Sequence, residues 1–145
     1  MDNDVVKLSQ AADYAARQHI AQRRKGERAE PYVNHLTEVA AMLAEATDGA
    51  DPVLVMGGLL HDTLEDTGAT YEDLVERFGP EVAALVQEVT DDKSLPKDVR
   101  KRLQIEKTPS TLAPGNRLVC WLPHTAVAAR SSFKPGWKWT LFSFR

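Results

Sequence analysis

One apolar run that ends abruptly in ionisable residues constrains this chain more than any other feature. Positions 53–60 carry Val53, Leu54, Val55, Met56, Gly57, Gly58, Leu59 and Leu60, and the chain continues as His61-Asp62-Thr63-Leu64-Glu65-Asp66. Asp51-Pro52 in front of the run starts a helix, since proline fits a first turn whose N–H groups have no partner. A helix apolar on every side must sit inside a core, and this one is too short to span a bilayer. Continued as helix, the segment stacks His61 over Glu65 and Asp62 over Asp66, because residues four apart share a face. Acids and an imidazole at the end of a buried helix carry a desolvation cost that packing does not offset. A metal ion or a reaction accounts for them. The plain alternative is a helix end that frays into a polar turn at Thr67-Gly68.

The surrounding sequence is patterned for helices. Leu8, Ala11, Ala12, Ala15 and His19 mark one face of a helix over 6–23, with His19 packed at its edge. Leu36, Val39, Ala40 and Leu43 mark a second, which starts near His35 and stops at Asp48-Gly49. Thr70-Tyr71-Glu72-Asp73 reads as a capping box with Asp in the usual Glu position and opens a short helix to Phe78. Pro80 opens another, with the stripe Val82, Leu85, Val86 and Val89. A basic helix with Arg100, Lys101 and Arg102 follows Leu95-Pro96. No segment alternates with period two, so little or no sheet is expected. The fold class is all-α, with antiparallel helices packed around the His61 segment.

A histidine in the first turn of an amphipathic helix, as His35 is, is by itself an ordinary boundary residue. Paired with His61-Asp62 on another helix, it becomes a candidate third metal ligand. Two imidazoles with carboxylates suit manganese, iron or zinc better than calcium. Glu65 and Asp66, one turn on, are placed to take a water's proton or to orient it. Arg23-Arg24-Lys25 reads either as a solvated helix end, where cations favour the dipole, or as a phosphate grip, for which a guanidinium is well shaped. Lys93 and Lys97 are weaker candidates for the same grip; Lys97 in its Leu95-Pro96-Lys97 turn could reach a phosphate, although a surface lysine is the simpler default. No glycine-rich loop of the P-loop type is present, which argues against phosphoryl transfer from ATP.

Four blocks in fixed order carry a family resemblance: Gln22-Arg23-Arg24-Lys25-Gly26, Pro31-Tyr32-Val33-Asn34-His35, Leu59-Leu60-His61-Asp62-Thr63-Leu64-Glu65-Asp66 and Val89-Thr90-Asp91-Asp92-Lys93. Together they resemble the hydrolase domain of the Rel/SpoT alarmone enzymes, which are HD-domain phosphohydrolases, and most of all the stand-alone metazoan branch. The resemblance covers about residues 8–119. It implies an HD-domain helical bundle with His35, His61 and Asp62 on the metal, Glu65 and Asp66 catalytic, and Arg24, Lys25 and Lys97 on substrate. The implied metal is Mn2+, with another divalent ion as the alternative. The implied reaction, part of the stringent response, hydrolyses the 3′ diphosphate of (p)ppGpp to GDP or GTP and pyrophosphate. Substrate choice lies in pocket shape, so another phosphorylated nucleotide such as NADPH stays open.

The resemblance breaks near the C-terminus. Leu118-Val119 is followed by Cys120-Trp121-Leu122-Pro123-His124-Thr125, which puts Pro123 where the family carries a fourth ligand Asp. All 21 acidic residues lie at or before Glu106. The last stretch holds Trp121, Trp137, Trp139, Phe133, Phe142 and Phe144 and is broken by Pro114, Pro123 and Pro135. Residues 1–119 are therefore expected to form a partial HD hydrolase domain, incomplete at its C-terminus. Residues 120–145 are expected to be a non-family tail, disordered or loosely packed, from an alternative reading of the message. Water or His124 would fill the fourth ligand position. Activity would then be impaired, or the chain an inactive truncated isoform. A net charge of −3 does not suggest a nucleic-acid binder. Cys120 alone allows no intrachain disulfide and suits the reducing cytoplasm. Met1-Asp2-Asn3-Asp4 does not look like a signal peptide. The expected partner is a small nucleotide, with no nucleic acid and no membrane; oligomeric state is not legible.

Overall fold

The computed structural model describes residues 3–107, 118–122 and 125–129. The helices are α1 (Asp4–Gln18), α2 (Val33–Thr47), α3 (Pro52–Leu60), α4 (Thr63–Asp66), α5 (Tyr71–Phe78), α6 (Pro80–Val89) and α7 (Lys97–Lys107). The apolar run forms α3, which packs against α1, α2 and α6 and is buried from Leu54 to Leu60. Its N-terminus is capped by Asp51, whose carboxylate accepts from the Leu54 N–H at 3.0 Å. The two glycines let its neighbours close in. A Cβ at position 58 would stand 2.6 Å from Leu43 Cδ1 and 3.5 Å from the Ala40 backbone, and one at position 57 would stand 2.5 Å from Leu85 Cδ2. Leu36, Val39 and Leu43 of α2, Leu74 and Phe78 of α5, and Val82, Leu85 and Val86 of α6 complete the core. Full burial of a side chain of this kind contributes roughly 1.5–3 kcal/mol.

The boundaries depart from expectation in two places that matter for the site. First, α1 ends at Gln18 instead of running on to Arg23. Residues 19–32 then fold into a clasp, with Arg24 N–H donating to Glu30 O at 2.8 Å and Tyr32 N–H to Gln22 O at 3.0 Å. Arg23-Arg24-Lys25 is part of this clasp and not a helix end. Second, the His61 segment is not one continuous helix. Asp62, with φ −95° and ψ 0°, divides α3 from α4. The Asp66 N–H still donates to Asp62 O at 2.9 Å, which preserves the four-residue relation between the two acids.

Other local expectations hold. The second helix stops where Asp48 (φ 56°) and Gly49 (φ 73°) turn left-handed, with Gly49 N–H donating to Ala44 O at 2.9 Å. Thr70 and Asp73 form the reciprocal capping box, with bonds of 3.2 Å and 2.9 Å. Thr70→Ala should therefore lower stability by about 1 kcal/mol. A urea melt with an unchanged midpoint would show that this cap does not hold α5.

Residues 3–107 contain no strand, in line with an all-α domain. Farther along, β1 (Leu118–Leu122) and β2 (Thr125–Ala129) pair antiparallel, with Leu118 opposite Ala129 and Leu122 opposite Thr125. Val119, Trp121, Thr125 and Val127 are residue types that suit a pleated strand. The backbone of β2 runs beside α3 and α6. Pro123, His124 and most of the expected tail lie outside the described residues.

Candidate metal centre

Three helix ends converge on one point. His35 stands in the first turn of α2, His61 ends α3, and Asp62 precedes the first turn of α4. Each offers a ligand atom, and these atoms lie within 4.8 Å of one another. The two imidazoles meet edge to face, with centroids 5.4 Å apart. His61 is buried, and its Nδ1–H is assigned as donor to the Gly58 carbonyl at 2.7 Å. That tautomer leaves the Nε2 lone pair facing the cluster. Nε2 is buried without a hydrogen bond, yet lies 3.0 Å from Asp62 Oδ2. A close approach outside hydrogen-bond geometry is how two ligands of one cation meet, so the residues fit a metal.

The electrostatics agree with that fit. Burial pushes the His61 imidazole down, but the Asp62 carboxylate, the Gly58 carbonyl and Glu65 outweigh it and hold the group above its ordinary value. Burial likewise pushes Asp62 up, while His61, the Tyr32 hydroxyl and His35 bring it below the usual carboxylate range. The pair thus favours one positive charge between its members, which a proton or a cation can provide. Burial, the neighbouring His61 and the Arg24 charge lower His35 to about 4, against the pull of Asp62. His35 is therefore neutral at pH 7, the form that binds a metal.

Glu65 and Asp66 flank the cluster with different surroundings. Glu65 is raised by burial first and then by Asp62, Asp91 and Asp66, with Lys93 opposing. Asp66 is held on both oxygens: Gln22 Nε2 donates to Oδ2 at 3.0 Å and Lys93 Nζ to Oδ1 at 2.6 Å. Lys93 also donates to the Glu65 carbonyl at 3.1 Å. Lys93 is exposed, as a surface lysine is, and its ammonium also ties the loop after α6 to α4.

The expected phosphate-binding residues are less united. Arg24 Nη1 lies 3.3 Å from Glu38 Oε2, and its charge is felt at His35. Lys25 is exposed in the clasp and Lys97 is exposed at the start of α7. Sequence reasoning assigned no role to Gln22 or Tyr32. The Tyr32 hydroxyl donates to Asp62 Oδ2 at 2.5 Å, and the only hint was its place three residues before His35. His19 is not an edge residue; it is 2% exposed and stacked on Tyr32.

With this geometry in view, the comparison with known proteins is decisive at the level of family. The profile described as HD domain matches residues 11–114. The chain belongs to the HD-domain family. This HD domain is 47% identical over 119 residues to the guanosine-3′,5′-bis(diphosphate) 3′-pyrophosphohydrolase of Homo sapiens, covering 82% of this chain and 66% of that protein. Its identity to the protein of the same name from Drosophila melanogaster is 50% over 100 residues, covering 69% of this chain and 56% of the other. The fold is similar to that of a solved metazoan orthologue of SpoT described as hydrolysing ppGpp, with a TM-score of 0.67 and 49% identity, covering 70% of this chain and 57% of that one. The chain thus spans between 56% and 66% of the length of these relatives. No helix among its described residues is long and apolar enough to cross a membrane.

Proposed function

We propose that this HD domain binds a divalent cation, manganese, through His35, His61 and Asp62 and hydrolyses the 3′ diphosphate of (p)ppGpp to GDP or GTP and pyrophosphate. The observation that carries the reading is the convergence of three ligand atoms within 4.8 Å beside a half-buried Glu65 with a raised pKa. A divalent cation there would supply the positive charge that polarises a phosphoryl oxygen and acidifies water. The chain's own residues do the rest. His35 and His61 present neutral nitrogen, and Asp62 supplies the balancing charge. Glu65 accepts a proton from the attacking water, and Asp66 helps to orient it. Arg24, Lys25 and Lys97 offset the charge of the polyphosphate. The product pair follows from adding one water across the bond between the 3′ oxygen and its phosphorus. A cytoplasmic setting suits a nucleotide substrate and a lone cysteine.

Purified chain, manganese and ppGpp should yield GDP and pyrophosphate in equal amounts by ion-exchange chromatography. A manganese-loaded chain that leaves ppGpp intact would overturn the reading.

The domain assignment belongs to the same proposal: residues 1–119 form the partial HD unit, and 120–145 a segment foreign to it, whose Pro123 provides no ligand. Activity is then impaired, since the fourth position falls to water or to a makeshift donor. Replacing 120–145 with the corresponding segment of the human relative should tighten manganese binding about 10–100-fold, the scale on which the support around a metal site acts. Equal affinities by calorimetry would show that the segment is a working part of the site.

A further inference from the structure

We propose that Tyr32 is a positioning residue of the metal centre, aiming Asp62 at the cation from the 19–32 clasp. This rests on His35, His61 and Asp62 being the ligands.

Tyr32 is not a ligand, yet its backbone, ring and hydroxyl each have a defined contact. Its backbone N–H is bound to Gln22 O at 3.0 Å across the clasp. One face of its ring stacks on His19, with centroids 5.2 Å apart and planes 29° apart. His19 is itself buried and joined through Nδ1 to Gln22 Oε1 at 2.6 Å. The ring also meets His35, at 5.5 Å and 60°. What these contacts direct is the hydroxyl, which reaches Asp62 Oδ2, the oxygen 3.0 Å from His61 Nε2. A carboxylate bonded on one oxygen by a fixed donor cannot rotate freely about its last torsion. Its remaining lone pairs therefore stay aimed at the cluster before a cation arrives, which lowers the ordering cost of binding. Gln22, paired with Tyr32 across the clasp, holds Asp66 in the same manner. The clasp therefore steadies both acids of the four-residue pair.

The test uses the full chain with Tyr32→Phe, which retains the ring and its stacking and removes only the hydroxyl. Manganese binding is followed by paramagnetic resonance, and the melting temperature of the metal-free chain by circular dichroism. Manganese Kd should rise about 10-fold or more, while the metal-free melting temperature matches the parent's. A Kd indistinguishable from the parent's overturns the positioning role, whatever happens to stability. His61→Ala is measured alongside. If it binds manganese as tightly as the parent, the ligand reading fails, and the role of Tyr32 falls with it. If only Tyr32→Phe binds like the parent, the positioning role alone is lost.

Discussion

His61→Ala should abolish manganese binding and reduce (p)ppGpp hydrolysis to background. His61 is 4% exposed, is anchored through Nδ1 to Gly58, and turns a buried Nε2 toward Asp62. Alanine removes one of three donors and also strands Asp62, whose carboxylate depends on that imidazole to stay ionised below the usual range. Breaking a buried pair of this kind typically costs about 3–5 kcal/mol, so the variant should also melt earlier. His61→Gln separates the two effects, because it restores bulk and an amide while lacking the imidazole. Metal content after desalting, measured beside circular dichroism, checks the prediction. A folded His61→Gln chain that retains manganese at the parent's stoichiometry would remove His61 from the ligand set.

Glu65→Gln should have an almost equal effect on rate with little effect on the metal. The carboxylate is half-buried and raised by that burial, with Asp62 adding to it, which makes it a stronger proton acceptor than an ordinary surface acid. Lys93 opposes the rise from 3.7 Å, but its firmer bond is to Asp66 at 2.6 Å. Exchanging Glu65 for its amide therefore leaves the α4 tether in place. Loss of a general base commonly lowers turnover about 10²–10⁴-fold. The expected signature is a fall in kcat with manganese Kd near the parent's. Turnover at the parent rate would dismiss Glu65 as the base, and loss of manganese would make it a ligand.

The division between what was legible and what was not follows the range of each interaction. Stripes such as Leu36, Val39, Ala40 and Leu43 predict α2 because a helix buries one face at fixed spacing. The Thr70 cap and the Asp51-Pro52 helix start were readable for a related reason: each serves backbone groups within three residues of itself. The end of α1 was misjudged because Arg23 and Lys25 are cations that would suit a helix terminus, whereas the clasp is decided by pairing across 22–32.

The chain alone specified its helices and brought His61-Asp62 and Glu65-Asp66 to the end of a buried one, since burial pattern and local spacing are written in neighbouring residues. Tertiary structure decided what holds those groups. Tyr32 reaches Asp62 across 30 positions, Gln22 reaches Asp66 across 44, and Lys93 reaches Asp66 across 27. Bonds that span such distances depend on how α2 and the clasp dock on α3, and they leave no periodic trace in the sequence. The same docking paired Arg24 with Glu38 and fully buried His19, which the spacing had placed only at the edge of an apolar face.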